Sequence, residues 1–151
     1  MLRESINAAL RKAMKAGDKR RVSTLRLVNA ALKNADIDAR GRGKGPLSDD
    51  ELLGLLQKMI KQRQESVELY EKGGRAELAA QEREEIEIIA SYLPSQMSEA
   101  EMRAAVEAAI ADTGAAGMKD MGKVMTALKE RHSGEVDFGK ASGVVKALLA
   151  R

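Results

Sequence analysis

Cysteine is absent from this sequence of 151 residues, and its only aromatic residues are one phenylalanine and two tyrosines. The lack of cysteine excludes disulfides, thiolate zinc sites and cysteine nucleophiles, and it agrees with a reducing compartment. With so few aromatic rings, the core must be aliphatic and supplemented by the eight methionines. Binding of single-stranded RNA by stacking its bases on aromatic rings is disfavoured for the same reason.

Long apolar runs are also missing. No run approaches the roughly 18 residues of a membrane-spanning helix, and the opening "MLRESINAAL" lacks the apolar core of a secretory signal peptide. Apolar residues make up 44% of the chain and charged residues 32%, which is typical of a folded globular protein. We therefore expect no membrane partner and a cytoplasmic location.

The charges are distributed unevenly along the chain. Residues 1–45 hold 12 basic and 4 acidic side chains, whereas residues 46–112 hold 7 basic and 15 acidic ones. Residues 113–151 are again basic, with 7 basic and 4 acidic side chains. A basic first third indicates a surface that faces a polyanion. The alternative is that the acidic middle of the same fold neutralises this surface.

Helical periodicity dominates the sequence and predicts an all-α fold. Gly17 should end the first helix and Asp18 should cap the second, which runs to about Ile37, so that the two helices form a hairpin. Ser48 and Glu51 form a capping box that predicts the start of a third helix after a glycine-rich basic loop. A fourth helix follows the glycine pair at 73–74.

Pro94 marks the boundary between two parts of the chain. Proline cannot donate to a continuing helical ladder, and it disfavours helical geometry at the residue before it. Ser98 and Glu101 then form a second capping box, a start signal that one kinked helix would not need. We predict a four-helix N-terminal domain over 1–93, followed by a three-helix C-terminal bundle over 94–151.

Three segments resemble chemical sites without meeting their requirements. "GRGKGPLS" lacks the Ser or Thr that follows the lysine of a phosphate loop, and no strand precedes it, so we interpret it as a basic linker. The glutamates of "QEREEIEIIA" are interpreted as a solvated, ion-paired face, with Ile86 and Ile89 inward. His132, near the end of a helix, is expected to meet free carbonyls there. We predict no catalytic residue, metal or cofactor.

The run "LRKAMKAGDKRRVSTLR" concentrates basic residues at the tip of the predicted hairpin, with Asp18 as its one acid. Such a tip is suited to nucleic-acid phosphates. Because aromatics are scarce, RNA shape and phosphates should carry the contact. The candidate nucleic-acid-binding residues in this run are Arg11, Lys12, Lys15, Lys19, Arg20, Arg21 and Arg26.

The segment "MKDMGKVMTALKE" combines a predicted N-cap, Asp120, with Gly122 and Lys123 in the first helical turn. Glycine there costs about 1 kcal/mol relative to alanine, which suggests that something approaches the backbone closely. The neighbouring helix is one explanation. An RNA phosphate at the helix N-terminus, helped by Lys123, is the other.

Two segments together resemble the GatB/YqeY family, and specifically its stand-alone YqeY-like members. They are "EIEIIASYLPSQMSEAE" and "KDMGKVMTALKERHSGEVDFGKASGVVKALL", and the resemblance extends upstream over essentially the whole chain. It implies an all-α fold with two helical parts. The last part is similar to the tail domain of the aminoacyl-tRNA amidotransferase B subunit, which contacts tRNA. The resemblance therefore implies RNA-facing roles for Lys119, Lys123, Lys140 and Lys146, whereas Phe138 is expected to pack at the start of the last helix.

The resemblance implies a non-catalytic accessory module that binds tRNA through phosphate contacts. An amidotransferase or another translation protein is a further implied partner. The family is associated with carbon–nitrogen ligase activity that uses glutamine as amido donor, but the chain lacks any kinase-like or amidase segment. One alternative is a helical protein–protein adaptor whose acidic helices dock a basic partner. Another is a ligase subunit, from which we expect no activity in the purified chain.

Overall fold

The computed structural model describes residues 1–150, which form seven α-helices and one short 3₁₀ helix at Met118–Asp120. No described residue lies in a strand, so the predicted all-α class is confirmed. Within these residues, no helix has the length and apolar character needed to cross a bilayer. The helices are α1 (Leu2–Ala16), α2 (Lys19–Gly41), α3 (Asp49–Lys72), α4 (Ala76–Ala90), α5 (Glu99–Thr113), α6 (Met121–His132) and α7 (Phe138–Leu149).

The chain divides into two compact units, one over Met1–Leu93 and the other from Pro94 onward. Helices α1 to α4 lie in the first unit, and α5 to α7 lie in the second. Ser98 and Glu101 form the reciprocal capping box expected at the start of α5. Glu101 accepts the backbone N–H of Ser98 at 2.9 Å, and this bond holds the pKa of the Glu101 carboxyl below its ordinary value.

The basic hairpin is built by α1 and α2. Gly17 ends α1 in the left-handed conformation, with φ +73°, and Asp18 begins α2 by accepting the backbone N–H of Arg21 at 3.1 Å. Both features match the predictions. Helix α2 continues past the predicted end at about Ile37, because Ala39 is buried and fixes one more turn.

The core of the first unit is aliphatic and draws on α1, α2, α3 and α4. Because its side chains come from all four helices, burial of apolar surface holds the hairpin of α1 and α2 to the acidic helices α3 and α4. The fully or nearly buried members are Ile6, Leu25, Val28, Leu32, Leu52, Leu56, Met59, Ile88 and Ile89.

Thr24 adds a polar group inside this unit. Its side chain is fully buried, and its hydroxyl has no hydrogen-bond partner among residues 1–150. An unpaired buried hydroxyl costs about 1–3 kcal/mol, so Thr24→Val should raise the free energy of unfolding by about 1 kcal/mol. Urea denaturation with an unchanged m-value measures this gain. Thr24→Ser is the control and should destabilise, because it keeps the hydroxyl and leaves a void.

The second unit has its own aliphatic core, and two bonds fix the segment before α5 to the α6–α7 connection. The backbone N–H of Met97 donates to the Glu135 carbonyl at 2.8 Å, and Gln96 Nε2 donates to the Gly134 carbonyl at 2.5 Å. Phe138 packs against this core at the start of α7, as predicted. The buried members of the core are Met102, Val106, Ala109, Val124, Leu128, Val136, Ala141, Val145 and Leu149.

Candidate nucleic-acid interface

One face of α1 carries cations that the fold leaves exposed. Helix α1 buries Ile6 and Ala13, which lie seven residues apart and therefore on one side of the helix. Arg11, Lys12 and Lys15 lie outside this buried stripe, and all three are exposed. Across the hairpin, Asn29 Nδ2 on α2 donates to Asn7 Oδ1 on α1 at 3.1 Å, which fixes the two helices side by side.

Most of the predicted hairpin cations have no ion-pair partner within residues 1–150. Arg20 Nε lies 3.2 Å from Glu84 Oε2, and Arg21 Nε lies 3.6 Å from Asp18 Oδ2. Glu84 is the one acid of the acidic middle that pairs with this group in the described part of the chain. The exposed cations without such a pair are Arg11, Lys12, Lys15, Lys19 and Arg26.

Arg21 has a second role beside its pairing with Asp18. Its charge also acts on the half-buried Tyr92, close to the end of the first unit. Burial raises the pKa of the Tyr92 hydroxyl, and the Arg21 charge opposes that rise. Together, the partnered side chains of Arg20 and Arg21 are less available to a phosphate than those of the remaining hairpin cations.

The lysines implied by the family resemblance are exposed in the second unit but do not form one cluster. Lys140 and Lys146 lie six residues apart on α7, so at 3.6 residues per turn they point in different directions. Lys123 Nζ lies 3.9 Å from Asp120 Oδ1, an exposed contact of little strength. Lys119 and Lys140 have no ion-pair partner in the described residues.

Asp120 does not cap α6 with its side chain, contrary to the prediction. Its carboxylate accepts the backbone N–H of Ala116 at 2.9 Å and so holds the turn that precedes the 3₁₀ helix. This bond is the main reason that the pKa of the Asp120 carboxyl lies below its ordinary value, with Lys123 and Lys119 adding to the effect. The first N–H groups of α6 therefore receive no side-chain cap from Asp120.

Gly122 is exposed in the first turn of α6, and a Cβ added there would meet nothing within 4 Å among the described residues. The explanation that a neighbouring helix requires glycine at this position is therefore wrong. Gly122→Ala should raise the free energy of unfolding by about 0.4–1 kcal/mol, because alanine restricts the unfolded chain and favours helix. Thermal and urea denaturation check this. A lower stability would mean that a contact outside the described fold controls this position.

Two of the clustered glutamates of α4, Glu82 and Glu85, are partly or largely buried rather than solvated, whereas Glu84 and Glu87 are exposed. Glu85 is only 7% exposed, and Arg63 Nε on α3 donates to Glu85 Oε2 at 3.0 Å. Glu82 Oε2 lies 3.9 Å from the same Arg63 nitrogen. Burial, followed by the Glu85 charge, raises the pKa of the Glu82 carboxyl, and Arg63 opposes that rise. We name Arg63, Glu82 and Glu85 the Arg63 cluster.

Two further predictions about these segments need correction. Ile86 is only half-buried, and Ile88 joins Ile89 in the core, because Glu85 takes a buried position on this face. His132 contacts the Glu135 carboxylate, with Nδ1 3.1 Å from Oε2, rather than the carbonyls at the end of α6. No group of three or more His, Asp or Glu within residues 1–150 is arranged to hold a metal ion.

The chain is similar to three yeast proteins, each named "Altered inheritance of mitochondria protein 41, mitochondrial". It is 41% identical to the Lachancea thermotolerans protein over 99 residues, covering 64% of this chain and 51% of that protein. Identity to the Eremothecium gossypii protein is 36%, covering 56% and 44% of the two chains. Identity to the Vanderwaltozyma polyspora protein is 35%, covering 57% and 45%. The chain thus spans about half the length of the curated relatives it matches.

The predicted cytoplasmic location is contradicted by these relatives, each of which is named as mitochondrial. The prediction depended on the missing apolar core of a secretory signal and on the missing cysteine. Mitochondrial targeting segments are amphipathic and rich in arginine, so the lack of an apolar core does not argue against them. The cytoplasmic location is therefore withdrawn.

A match over nearly the full length settles the family. Sequences of the family described as "Yqey-like protein" match residues 3–149, which include the hairpin, the acidic helices and the second unit. This span contains both segments that carry the resemblance found in the sequence. The chain belongs to the YqeY-like protein family.

Proposed function

We propose that this protein is a non-catalytic accessory module that binds tRNA through phosphate contacts. The observation that supports this most directly is the set of exposed hairpin cations without an ion-pair partner in residues 1–150: Arg11, Lys12, Lys15, Lys19 and Arg26. The alternative was that the acidic residues in the middle of the chain neutralise these cations. Among the described ion pairs, only Glu84 pairs with a hairpin cation in this way. We propose tRNA as the bound RNA because the family is related to the amidotransferase tail domain.

The energetics of such binding come from the release of counterions. Each phosphate that a lysine or arginine neutralises frees condensed cations, so the logarithm of affinity falls linearly with the logarithm of salt concentration. Long, exposed side chains can follow a phosphate backbone without base stacking, which agrees with the scarcity of aromatic residues. Lys119, Lys123, Lys140 and Lys146 supply a second, more scattered set of contacts.

Retention of total tRNA on filters across a salt series tests the proposal. We expect binding at low salt that weakens with a slope of about 0.7–0.9 per neutralised phosphate. An uncharged competitor such as dextran should not displace the RNA. If no tRNA is retained at low salt by a protein whose helical circular dichroism is intact, the proposal is wrong.

We also propose that 1–93 and 94–151 are separate domains, a four-helix one and a three-helix one. The two aliphatic cores, one in each compact unit, support this. Each fragment should then melt cooperatively by circular dichroism, and the 1–93 fragment should retain most of the affinity for tRNA. Fragments that are unfolded in isolation would refute the domain assignment without affecting the RNA proposal.

A helical protein adaptor is the second candidate function. The observation that favours it is Leu69 on α3, which is 70% exposed beside the acidic residues Glu65 and Glu68. A basic partner with an apolar pocket would match this acidic surface. Affinity capture with and without RNase separates the two functions: partners that depend on RNA favour the tRNA module, and RNase-resistant partners favour the adaptor.

A further inference from the structure

An open groove of about 720 Å³ lies beside the tip of the hairpin and does not include Arg11, Lys12 or Lys15. Two large apolar side chains in its wall are unusually exposed: Met14 is 52% exposed and Leu27 is 49% exposed. The residues that line the groove are Met14, Gly17, Lys19, Val22, Ser23, Arg26 and Leu27.

The lining combines an aliphatic floor with positive charge and contains no acid. Met14, Val22 and Leu27 supply the apolar surface, while Lys19 and Arg26 are exposed without ion-pair partners in the described residues. Asp18, the nearest acid in sequence, is turned to the start of α2, where it accepts the N–H of Arg21. The electrostatic complement of this groove is therefore an acidic ligand with an apolar side.

The size of the groove fits a short helix better than a nucleotide base. Its wall on α2 runs from Lys19 to Leu27, about 12 Å at 1.5 Å rise per residue, which matches two turns of a docked helix. No aromatic ring of the described residues lines the groove, so the Arg26 guanidinium is the one plane in the lining on which a base could stack, and the rest of the apolar surface is aliphatic. Apolar anchors at helical spacing, lying in an aliphatic groove, are a recurring mode of peptide recognition.

We propose that this groove binds an amphipathic helix of a partner protein, with acidic residues on both sides of its apolar stripe. The apolar stripe of the partner packs on Met14, Val22 and Leu27. Its carboxylates pair with Lys19 and Arg26. This is a protein-docking activity in addition to RNA binding. A docked helix would occupy Lys19 and Arg26, which are also proposed phosphate contacts, and would leave Arg11, Lys12 and Lys15 available to phosphates.

A labelled synthetic helix tests the docking by fluorescence anisotropy with the full-length chain. The probe is a fluorescein-labelled peptide of about four turns, with leucines at helical i, i+3, i+4 and i+7 spacing and glutamates on both sides. The comparison peptide replaces each glutamate with lysine. We expect the acidic peptide to bind at least tenfold more tightly. Equal affinity for the two peptides would overturn the proposal.

Leu27→Ser tests the position of the site, with Ile37→Ser as the matched control. Ile37 lies on the same helix, is 66% exposed and does not line the groove. We expect Leu27→Ser to lower the affinity for the acidic peptide about tenfold or more, because Leu27 is an anchor residue of the groove. Ile37→Ser should change that affinity by less than about twofold. Arg26→Glu should also weaken it. Equal effects of the two serine variants would overturn the proposal.

Two other occupants of the groove would give different results. If a second copy fills it, the chain alone should dimerise in sedimentation velocity, and Leu27→Ser should abolish the dimer. If RNA fills it, Leu27→Ser should reduce tRNA retention as strongly as it reduces peptide binding. Either result overturns the proposal. The docking proposal is supported if Leu27→Ser loses peptide binding while the protein stays monomeric and its tRNA retention equals that of the wild type. This result does not depend on how strongly the wild-type protein retains tRNA.

Discussion

Reversing the charge of Arg11, Lys15 and Lys19 to glutamate should weaken tRNA retention about a thousandfold at roughly 50 mM monovalent salt. At the salt slope expected for phosphate contacts, each neutralised phosphate contributes about a factor of ten at that concentration. The three side chains are exposed and have no ion-pair partner within residues 1–150, so the substitutions remove no internal bond. Filter binding across a salt series should also show a slope about 2 to 3 units shallower.

A second triple variant separates a local surface from net charge. Lys33, Lys58 and Lys129 are also exposed, have no ion pair in the described residues and lie outside the proposed interface. Their replacement by glutamate changes the net charge by the same amount. We expect this control to weaken tRNA retention by less than about tenfold, because these lysines make no proposed phosphate contact and act on the RNA only through a salt-screened field. Equal loss in both triples would mean that tRNA responds to total charge and that the hairpin is not the interface.

The all-α class, the hairpin turn and the capping box at Ser98 and Glu101 could be predicted because each depends on a few neighbouring residues. A glycine at a helix end or a serine three residues before a glutamate acts through local backbone hydrogen bonds. The same local reasoning assigned Asp120 to capping α6. That prediction was wrong because the Asp120 carboxylate accepts the backbone N–H of Ala116, in the preceding turn, instead of an N–H of α6.

The Arg63 cluster could not be predicted from local signals, although the sequence contained a hint. Arg63 lies four residues after Met59 and four before Val67, so it falls on the buried stripe of α3. Glu85 falls among the buried residues of α4 in the same way. A charged residue on an apolar stripe has two outcomes, exposure or burial with a partner, and only the packing of α3 on α4 decides between them. The exposure of the hairpin cations likewise depends on which acids reach them.

Replacing Arg63 with methionine should cost about 3–5 kcal/mol of unfolding free energy at neutral pH, because it leaves the carboxylates of Glu82 and Glu85 buried without a counter-charge. Both acids are largely buried between α3 and α4, and Arg63 is the cation that both approach. The Glu85 bond to Arg63 Nε at 3.0 Å is lost outright. Urea denaturation is the suitable measurement, since it does not screen charges as guanidinium does.

The pH dependence of this variant follows from the direction of the Glu82 pKa. Burial raises that pKa, so the folded state holds a proton on Glu82 more tightly than the unfolded chain does. Ionisation of the buried Glu82 carboxyl lowers the stability of the fold. This loss is therefore absent below the ordinary glutamate pKa and grows as pH rises through the raised pKa of the folded state. Without Arg63 the rise is larger, so the deficit of Arg63→Met should be smaller near pH 5 than near pH 7. A deficit that does not change with pH would mean that lost packing, rather than unpaired charge, is its cause.

Removing the partner as well should restore most of the stability. In the double variant Arg63→Met with Glu85→Leu, both members of the closest pair become apolar, and such replacements of a buried pair are often neutral or stabilising. We expect the double variant to recover most of the loss at neutral pH. The single variant Glu85→Leu keeps Arg63 beside Glu82, so its free energy of unfolding should fall by less than that of Arg63→Met. Additive losses in the double variant would show that Arg63 and Glu85 act independently, and the cluster would then not be a coupled unit.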